Sequence, residues 1–437
     1  MSTIPQVAAA LESVLGSTAE ELGRPSGFVR RARRLSGASF VQTLVVGWLG
    51  KPEASLSELT HTAAALGCPI SAQGLAQRFT PPAAALLEGV LGAAVSQVVS
   101  ADPVALPLLA RFTGVVLGDC TVVALPDALA GRWAGTGERT GHNQAALKLY
   151  VQLDLLGGQL SGPHLHAGRT SDRTALAQAP ALPAGTLSIR DLGFFGLCQL
   201  ARDGQAGRFW LSRLRAGTVV CSAAGPRQDL PRWLATQPDR VDQPVTLGVD
   251  ERLPARLLAV RVPPAVAAER RRQLHAEARH KGQTVSATRL ALADWTILVT
   301  NVPAALLTLA EALVLYRARW QIERLFALWK QYGRLGHARS ANPWRILCEI
   351  YAKLLALLVQ HWVCLLRCWD YPERSLLKAA AALRAHASLL LAALAGCLPL
   401  PAALAQITRT LGPSCRMSRR RAAPHTFQFL LRGADGR

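Results

Sequence analysis

Apolar residues recur at intervals of three and four along residues 1–105, without the alternation that is typical of strands. This spacing predicts a helical N-terminal region. Within it, residues 56–79 predict two helices, with Gly67 at the turn and Ser71 as the N-cap of the second helix. The outline fits a helix-turn-helix whose second helix, reaching Phe79, contacts DNA, and it fits any helical hairpin equally well.

The pattern changes near residue 110, where runs of β-branched and apolar residues of strand length begin. Such runs at 114–125, 147–156 and 186–195 predict strands, and an alanine-rich helical stretch precedes the third run. Strands with a helix between them predict an α/β fold. Residues 216–304 are rich in proline and in alternating apolar positions, which predicts a strand-rich insertion.

Two of the predicted strands end their apolar run in a single aspartate. These residues are Asp119 and Asp191. A carboxylate at the end of a buried strand is costly unless it is paired or binds a metal, and strand ends in parallel sheets often form binding sites. Each aspartate also fits a purely structural role as a turn or cap residue, so the pair alone indicates only a candidate site.

A long helix is predicted between Thr308 and Gly333. Thr308 and Glu311 form a capping box, and Gly333 is a plausible C-terminal stop. At 100° per residue, one face of this helix about 60° wide carries one phenol, two cations and one carboxylate. These four residues are Tyr316, Arg319, Glu323 and Lys330. The carboxylate can join two aspartates around a metal, while the cations and the phenol can hold phosphates.

Charge narrows the class of partner. The chain of 437 residues has 49 Lys and Arg against 28 Asp and Glu, a net charge of +21, which indicates a polyanionic partner. Nucleic acid is the first candidate and an anionic membrane the second. Two clusters of arginines are candidate phosphate contacts, although solvated helix faces would carry similar charge. They are Arg30 and Arg31, followed by Arg33 and Arg34, and then Arg270, Arg271 and Arg272.

Several features argue against a secreted or membrane protein. The nine cysteines include no C-x-x-C pair, which favours reduced thiols in the cytoplasm. The first residues lack the basic segment of a signal peptide and include Glu12. The apolar stretches 354–366 and 388–407 are interrupted by polar residues or prolines, so both are predicted to be buried helices. We therefore expect a cytoplasmic protein without a membrane partner.

The helix face carries a resemblance to a known family. Its spacing, Tyr-x2-Arg-x3-Glu-x6-Lys, resembles the signature of bacterial insertion-sequence DDE transposases of the IS-four family. The segment around Asp119, with Thr121 two positions later, resembles the family's first-aspartate strand. The segment around Asp191, with Gly193, resembles the second. Trp295 stands where the family places a tryptophan that stacks on a flipped-out base.

The resemblance implies an architecture with five parts along the chain. It implies a helical DNA-binding region at 1–105, and an RNase H-like core formed by 106–215 and 305–360 together. A β-strand-rich insertion domain at 216–304 would divide that core. A helical C-terminal region at 361–437 would support a homodimer.

The resemblance also implies a chemistry. Asp119, Asp191 and Glu323 would bind two Mg²⁺ ions, which Mn²⁺ can replace. The site would cut double-stranded DNA at terminal inverted repeats and join the 3′-hydroxyl ends to target DNA. Trp295 would stack on a flipped base. The residues expected to grip phosphates are Tyr316, Arg319 and Lys330.

The chain departs from the family pattern at Cys120, where Ser or Thr is common, and at Leu192, where Arg is frequent. Neither position supplies a metal ligand in the family. Three other functions compete with an active transposase. One is an inactive DNA-binding protein derived from a transposase, and another is a metal-dependent nuclease without strand transfer. The third is a basic membrane-surface protein.

Overall fold

The computed structural model of the chain divides into two compact units. It describes residues 3–31, 35–137, 144–222, 225–337, 340–418 and 425–432. Unit 1 comprises Met1–Leu106, Asp119–Ala179 and Trp320–Leu431. Unit 2 comprises Pro107–Gly118, Pro180–Arg319 and Arg432–Arg437.

The N-terminal part of unit 1 is helical, as predicted. Its helices are α1 (Ile4–Glu12), α2 (Ala19–Glu21), α3 (Gly37–Gly50), α4 (Leu56–Ala65), α5 (Ala72–Ala76) and α6 (Pro81–Val95). The hairpin outline is confirmed, because Gly67 turns the chain with a φ of +75° and Ser71 caps α5. The predicted length of the second helix is wrong. It ends at Ala76 rather than at Phe79 and spans about 7 Å, which is short for a helix that reads a DNA groove.

Nine strands form one mixed sheet in the order β3-β2-β1-β4-β5-β9-β8-β7-β6. The α/β class is therefore confirmed. The strands β1, β4 and β5 run parallel, and the pairs from β5 through β9 to β6 are antiparallel. The first four strands are β1 (Gly114–Leu125), β2 (Ala145–Asp154), β3 (Leu160–Ala167) and β4 (Thr186–Arg190). The other five are β5 (Phe209–Arg213), β6 (Val220–Ser222), β7 (Arg240–Leu247), β8 (Leu253–Arg261) and β9 (Trp295–Thr300).

The predicted strands match the observed ones closely except at one end. β1 has the predicted bounds, and β2 lies two residues earlier than predicted. The prediction of a strand through residue 195 is wrong, because β4 ends at Arg190 and the chain turns into a 3-10 helix over Leu192–Phe194. The strand therefore stops directly before Asp191.

The strand-rich segment after residue 216 extends the same sheet in unit 2. Its β9 pairs with β5, and an apolar cluster that includes the fully buried Leu234, Leu247 and Val299 packs against it. The basic segment within it forms a long helix. The helices between β3 and residue 319 are α7 (Asp172–Ala177), α8 (Leu197–Gln205), α9 (Leu230–Ala235), α10 (Pro264–His280), α11 (Ala287–Leu292) and α12 (Leu309–Ala318).

The C-terminal part of unit 1 is helical. Its helices are α13 (Trp320–Ala327), α14 (Pro343–Leu365), α15 (Leu376–Ala385), α16 (Ala387–Leu394), α17 (Leu400–Thr410) and α18 (Thr426–Arg432). Both apolar stretches are helical, as predicted, and the second is split between α16 and α17. Among the described residues, α14 is long and apolar enough to cross a membrane, and α15 with α16 pass that test together as a pair bent by 54°. The apolar window of α14 is wholly buried inside the protein.

Candidate active site

The two candidate aspartates lie on neighbouring parallel strands, Asp119 within β1 and Asp191 directly after β4. In the register of β1 and β4, Gly118 lies opposite Arg190. Asp119 and Asp191 each come one residue after that pair, and both are half-buried. Asp119 Oδ1 accepts a hydrogen bond from the Cys120 amide at 2.8 Å. The strand-end position expected of both carboxylates therefore holds for Asp191 and is wrong for Asp119, because β1 continues to Leu125 beyond its pairing with β4.

Within unit 2, Asp191 belongs to a charged group around Tyr316. Burial raises the pKa of the Tyr316 hydroxyl, the positive charges of Arg319 and Arg213 oppose this rise, and the Asp191 carboxylate adds to it. Arg319 is only 9% exposed, so its charge acts in a poorly solvated setting. The structure therefore brings together three of the predicted site residues, Asp191, Tyr316 and Arg319.

Arg213 is a candidate that the sequence analysis missed. It is the last residue of β5, whose Leu211 lies opposite Ile189 of β4. Two residues further along these parallel strands stand Asp191 and Arg213. A cation and a carboxylate at the ends of two adjacent strands could have indicated this candidate. The sequence does not show that β4 and β5 are adjacent, so the signal could not be used.

The long helix begins and ends where predicted. The Thr308 side chain accepts from the Glu311 amide and the Glu311 side chain accepts from the Thr308 amide, while Gly333 is the C-cap. Arg111 holds Glu311 further through two hydrogen bonds, at 2.8 and 3.0 Å. These contacts anchor the start of α12 in unit 2.

The prediction of one regular α-helix is wrong. The α-helical bonding is interrupted at Arg319, whose amide donates to Tyr316 O at 3.2 Å, a bond of the 3-10 type. Residues Leu328–Tyr332 then form a π-helix, closed by a hydrogen bond from the Gly333 amide to Leu328 O. A π-helix has more residues per turn, so the angle calculated for Lys330 does not hold. The four residues of the predicted face are divided, with Tyr316 and Arg319 in unit 2.

Glu323 and Lys330 lie in unit 1. Glu323 is half-buried on α13, and Lys330 is half-buried in the π-helix, where burial lowers the pKa of its ammonium. Trp320, one turn before Glu323 on α13, is 57% exposed. Sequence reasoning assigned no role to this tryptophan.

Asp119 stands beside a buried polar group in unit 1. Lys148 is 9% exposed, and its ammonium donates to Asp172 Oδ1 at 2.8 Å and to the Thr170 carbonyl. Burial raises the pKa of the Cys120 thiol well above its usual range, and the negative charge of Asp172 raises it further. The thiol therefore stays protonated near neutral pH. The neighbouring group that can offer a charged oxygen to a metal ion is the carboxylate of Asp119.

The donor chemistry fits a hard cation. Carboxylate oxygens are the ligands that Mg²⁺ prefers, and Cys120, held as a neutral thiol, is a poor ligand for a soft metal. Among the residues that the structure describes, no group of three or more His, Cys, Asp or Glu side chains is spaced to hold a metal ion. Asp119 and Glu323 belong to unit 1 and Asp191 to unit 2, so the predicted set of three is not contained in one unit.

Trp295 is 6% exposed and belongs to the apolar cluster of unit 2. The guanidinium of Arg261 lies over its ring, 4.7 Å from the centroid. Arg270 donates to Trp295 O and to Thr296 Oγ1, both at 2.9 Å. The Arg261 guanidinium therefore covers one face of the Trp295 ring.

The predicted basic contacts differ in how much charge is free for DNA. Arg270 is held by the carbonyls around Trp295, Arg271 pairs with Asp294, and Arg272 pairs with Glu269. Arg30 and Arg31 are exposed on a non-helical segment of unit 1. Arg33 and Arg34 lie outside the described residues.

Comparison with known proteins identifies the class. A family model described as a transposase DDE domain matches residues 110–359. This match spans more than half of the chain, and the chain belongs to that family. Asp119, Asp191 and Glu323 all lie inside the matched span.

The chain is also similar to named transposases of insertion sequences. It is 27% identical over 364 residues to the transposase for insertion sequence element IS231F of Bacillus thuringiensis subsp. israelensis, covering 77% of this chain and 75% of that protein. It is 28% identical over 367 residues to the transposase for IS231C of Bacillus thuringiensis subsp. berliner, covering 78% and 76%. It is 21% identical over 268 residues to the transposase for IS1151 of Clostridium perfringens, covering 57% and 56%. These likenesses support transposase function for this chain.

Proposed function

We propose that this protein is the transposase of an insertion sequence of the IS-four family, which cuts DNA at terminal inverted repeats and joins the 3′-hydroxyl ends to target DNA. The observation that carries the proposal is the register of β1 and β4. It gives Asp119 and Asp191 equivalent positions directly after the last pair, Gly118 and Arg190. The match to the transposase DDE domain supports the same reaction class.

Asp119, Asp191 and Glu323 would hold two Mg²⁺ ions, with Mn²⁺ as a substitute. When bound, such ions supply an activated water or 3′-hydroxyl and offset the charge on the leaving oxygen. The three carboxylates contribute hard oxygen donors and leave coordination positions for DNA phosphate and water. Within the family this arrangement is an RNase H-like core, for which we propose 106–215 and 305–360.

The cations around these carboxylates would bind the phosphates of the transposon end. Arg319 is buried, so its guanidinium keeps a fixed orientation and gains strength from the low local polarity. The Tyr316 hydroxyl is protonated near neutral pH, and burial moves its pKa further above that range, so it can donate to a phosphate oxygen. Lys330 would contribute a further charge, and Arg213 is added to this set by its position beside Asp191.

Trp295 would stack on a base withdrawn from the duplex once Arg261 is displaced. Base stacking on an aromatic ring contributes roughly 1–3 kcal/mol, which can offset the loss of a cation–π contact of about 0.5–2 kcal/mol. Arg270 would then act by holding the backbone of Trp295 rather than by touching DNA. Arg271 and Arg272 would attract phosphates only weakly, because Asp294 and Glu269 neutralise much of their charge.

The remaining parts of the proposal concern the rest of the chain. Residues 1–105, with the exposed Arg30 and Arg31, would contribute to DNA binding. Residues 216–304 would form the insertion domain, and 361–437 would support a homodimer in the synaptic complex. The protein would act at the nucleoid in the bacterial cytoplasm.

The proposal is tested by Mg²⁺-dependent cleavage of DNA that carries the flanking inverted repeats. Wild type should nick at the repeat boundary, and Glu323→Gln should bind the same DNA and leave it uncut. Glu251→Gln is a matched control, because it removes an exposed carboxylate between β7 and β8 that is not the ion-pair partner of any proposed phosphate contact among the described residues. A control as inactive as Glu323→Gln would contradict the assignment.

The same assay separates the competing functions. If wild type binds the repeats and never cuts with Mg²⁺ or Mn²⁺, the protein is a DNA-binding derivative of a transposase. If it cuts and never joins a labelled 3′-hydroxyl end to target DNA, it is a nuclease. Removal of divalent ions with EDTA should abolish cutting, and added Mg²⁺ should restore it.

A further inference from the structure

A cavity lies in unit 1 between the end of β2, helix α13 and the C-terminal helices. Its volume is about 240 Å³, and a single water molecule needs only about 10–15 Å³ on the same measure. Its polar lining includes Arg324, Arg374, Gln321 and Gln331, and its apolar lining includes Trp369. The cavity is not part of the proposed cleavage site, because Arg324 and Glu323 are adjacent residues of a helix and diverge by about 100°.

Arg374 is the unusual member of this lining. It is 4% exposed, and in the described part of the chain its guanidinium donates one hydrogen bond, from Nη1 to Tyr371 O at 3.3 Å. Its guanidinium carbon lies over the Trp369 ring, 3.7 Å from the centroid, and 5.0 Å from that of Phe427. No described carboxylate forms an ion pair with it. Burial lowers the pKa of Arg374 to about 9, so it remains a cation near neutral pH.

A buried cation with so few partners is costly, and an anion in the cavity would offset that cost. Arg324, on the neighbouring wall, has both Nη atoms 3.6 Å from Met417 Sδ, which is a weak acceptor. It forms no ion pair with a described carboxylate. Two guanidinium groups that face one cavity can hold the oxygens of one phosphate.

The rest of the lining suits a nucleobase. Gln321 and Gln331 carry amides that both donate and accept hydrogen bonds, as the edges of bases require. Tyr332 and Phe427 supply aromatic surface, and leucines close the remaining wall. A phosphate beside a planar, hydrogen-bonding ring is the chemistry of a nucleotide.

We propose that this cavity binds a nucleotide unit, with its phosphate on Arg374 and Arg324 and its base among Gln321, Gln331 and Tyr332. Two sources share this chemistry, a free mononucleotide and a nucleotide within a DNA strand. The second source rests on the proposed function, and the first does not. Binding is measured in EDTA, so its failure is distinguishable from a failure of DNA cleavage.

The test is calorimetric titration of the full chain with deoxyadenosine monophosphate, with inorganic phosphate and with deoxyadenosine. The mononucleotide should bind at least tenfold more tightly than either fragment. Arg324→Gln should weaken binding of the mononucleotide about tenfold. Gln331→Ala should weaken it by a smaller factor. Arg409→Gln is the matched control, because it removes an exposed charge of α17 outside the cavity and should leave binding unchanged.

Arg374→Gln should abolish binding of the mononucleotide if the variant folds. If Arg374→Gln does not fold, the result for Arg324→Gln tests the proposal instead. A short single-stranded oligonucleotide that competes with the mononucleotide identifies DNA as the source, and absence of competition identifies the free nucleotide. Equal affinity for phosphate alone or for deoxyadenosine alone overturns the proposal. So does an Arg409→Gln effect as large as that of Arg324→Gln.

Discussion

Asp191 and Arg213 stand at equivalent positions at the ends of two neighbouring parallel strands of unit 2. The pair Ile189 and Leu211 fixes the register of β4 and β5, and each charged residue comes two positions later. The positive charge of Arg213 also opposes the rise in the pKa of Tyr316 that burial causes. A carboxylate and a cation thus lie at the carboxyl ends of β4 and β5, and both act electrostatically on the Tyr316 phenol.

We expect Arg213→Gln to reduce cleavage of repeat DNA by about 10- to 100-fold, because a charge-assisted hydrogen bond to phosphate contributes about 1.5–3 kcal/mol. The rate of nicking under single-turnover conditions measures this effect. Arg215→Gln is the control, since it removes an exposed charge two residues further on. Equal losses in the two variants would mean that only overall charge matters.

Trp295→Ala should destabilise the protein, because a buried tryptophan in an apolar cluster leaves a cavity that costs about 3–5 kcal/mol. Urea unfolding measures the loss. Trp320→Ala, which removes a tryptophan that is 57% exposed, should cost much less. If Trp295→Ala unfolds at the same urea concentration as wild type and binds DNA more weakly, the ring acts on DNA alone and its burial contributes little to stability.

The pair of Glu349 and Lys353 on α14 allows a test of a buried ion pair. Lys353 Nζ lies 2.6 Å from Glu349 Oε1, and both side chains are less than a tenth exposed. Glu349→Gln leaves a buried ammonium without its counter-ion, so we expect a loss of about 3–5 kcal/mol in the free energy of unfolding.

The control for that variant is Glu277→Gln on α10. Lys281 and Glu277 have the same four-residue spacing and the same 2.6 Å separation, but both side chains are about half exposed. This substitution should leave the urea midpoint unchanged. A similar loss in both variants would show that burial is not the cause.

Stability should depend on pH through His361. Burial lowers the pKa of its imidazole to about 4, although the hydrogen bond from Nε2 to Gly158 O, 2.7 Å long, opposes the shift. The unfolded chain binds this proton near pH 6.5 and the folded chain does not, so its contribution is present above pH 6.5 and is lost as the pH falls toward 4.

We expect this loss to approach roughly 1.4 kcal/mol per pH unit in that window. Urea unfolding at several pH values measures it, with His361→Gln expected to flatten the curve because the amide keeps a donor and does not titrate. His275→Gln, at an exposed position, should leave the curve unchanged. Parallel curves for wild type and His361→Gln would rule out His361 as the cause.

Local signals in the sequence determined much of the candidate site. The Thr308 capping box and Gly333 predicted both ends of the helical segment, because caps depend on residues within one turn. The apolar run of β1 predicted its bounds and thereby the position of Asp119. The interruption at Arg319 and the π-helix near Lys330 were not predictable, since periodicity assumes a constant rotation per residue.

Other features depended on contacts between distant parts of the chain. The place of Arg213 beside Asp191 follows from the order of β4 and β5, which no local pattern encodes. The burial of Trp295 and the carbonyl partners of Arg270 likewise arise where β8, β9 and α10 pack. The sequence by itself determined which residue types stand at the ends of elements, and only the tertiary structure decided which charges are exposed and which are buried. The physical reason is that burial and pairing are properties of packed neighbours, whereas caps and strand ends are properties of the adjoining residues.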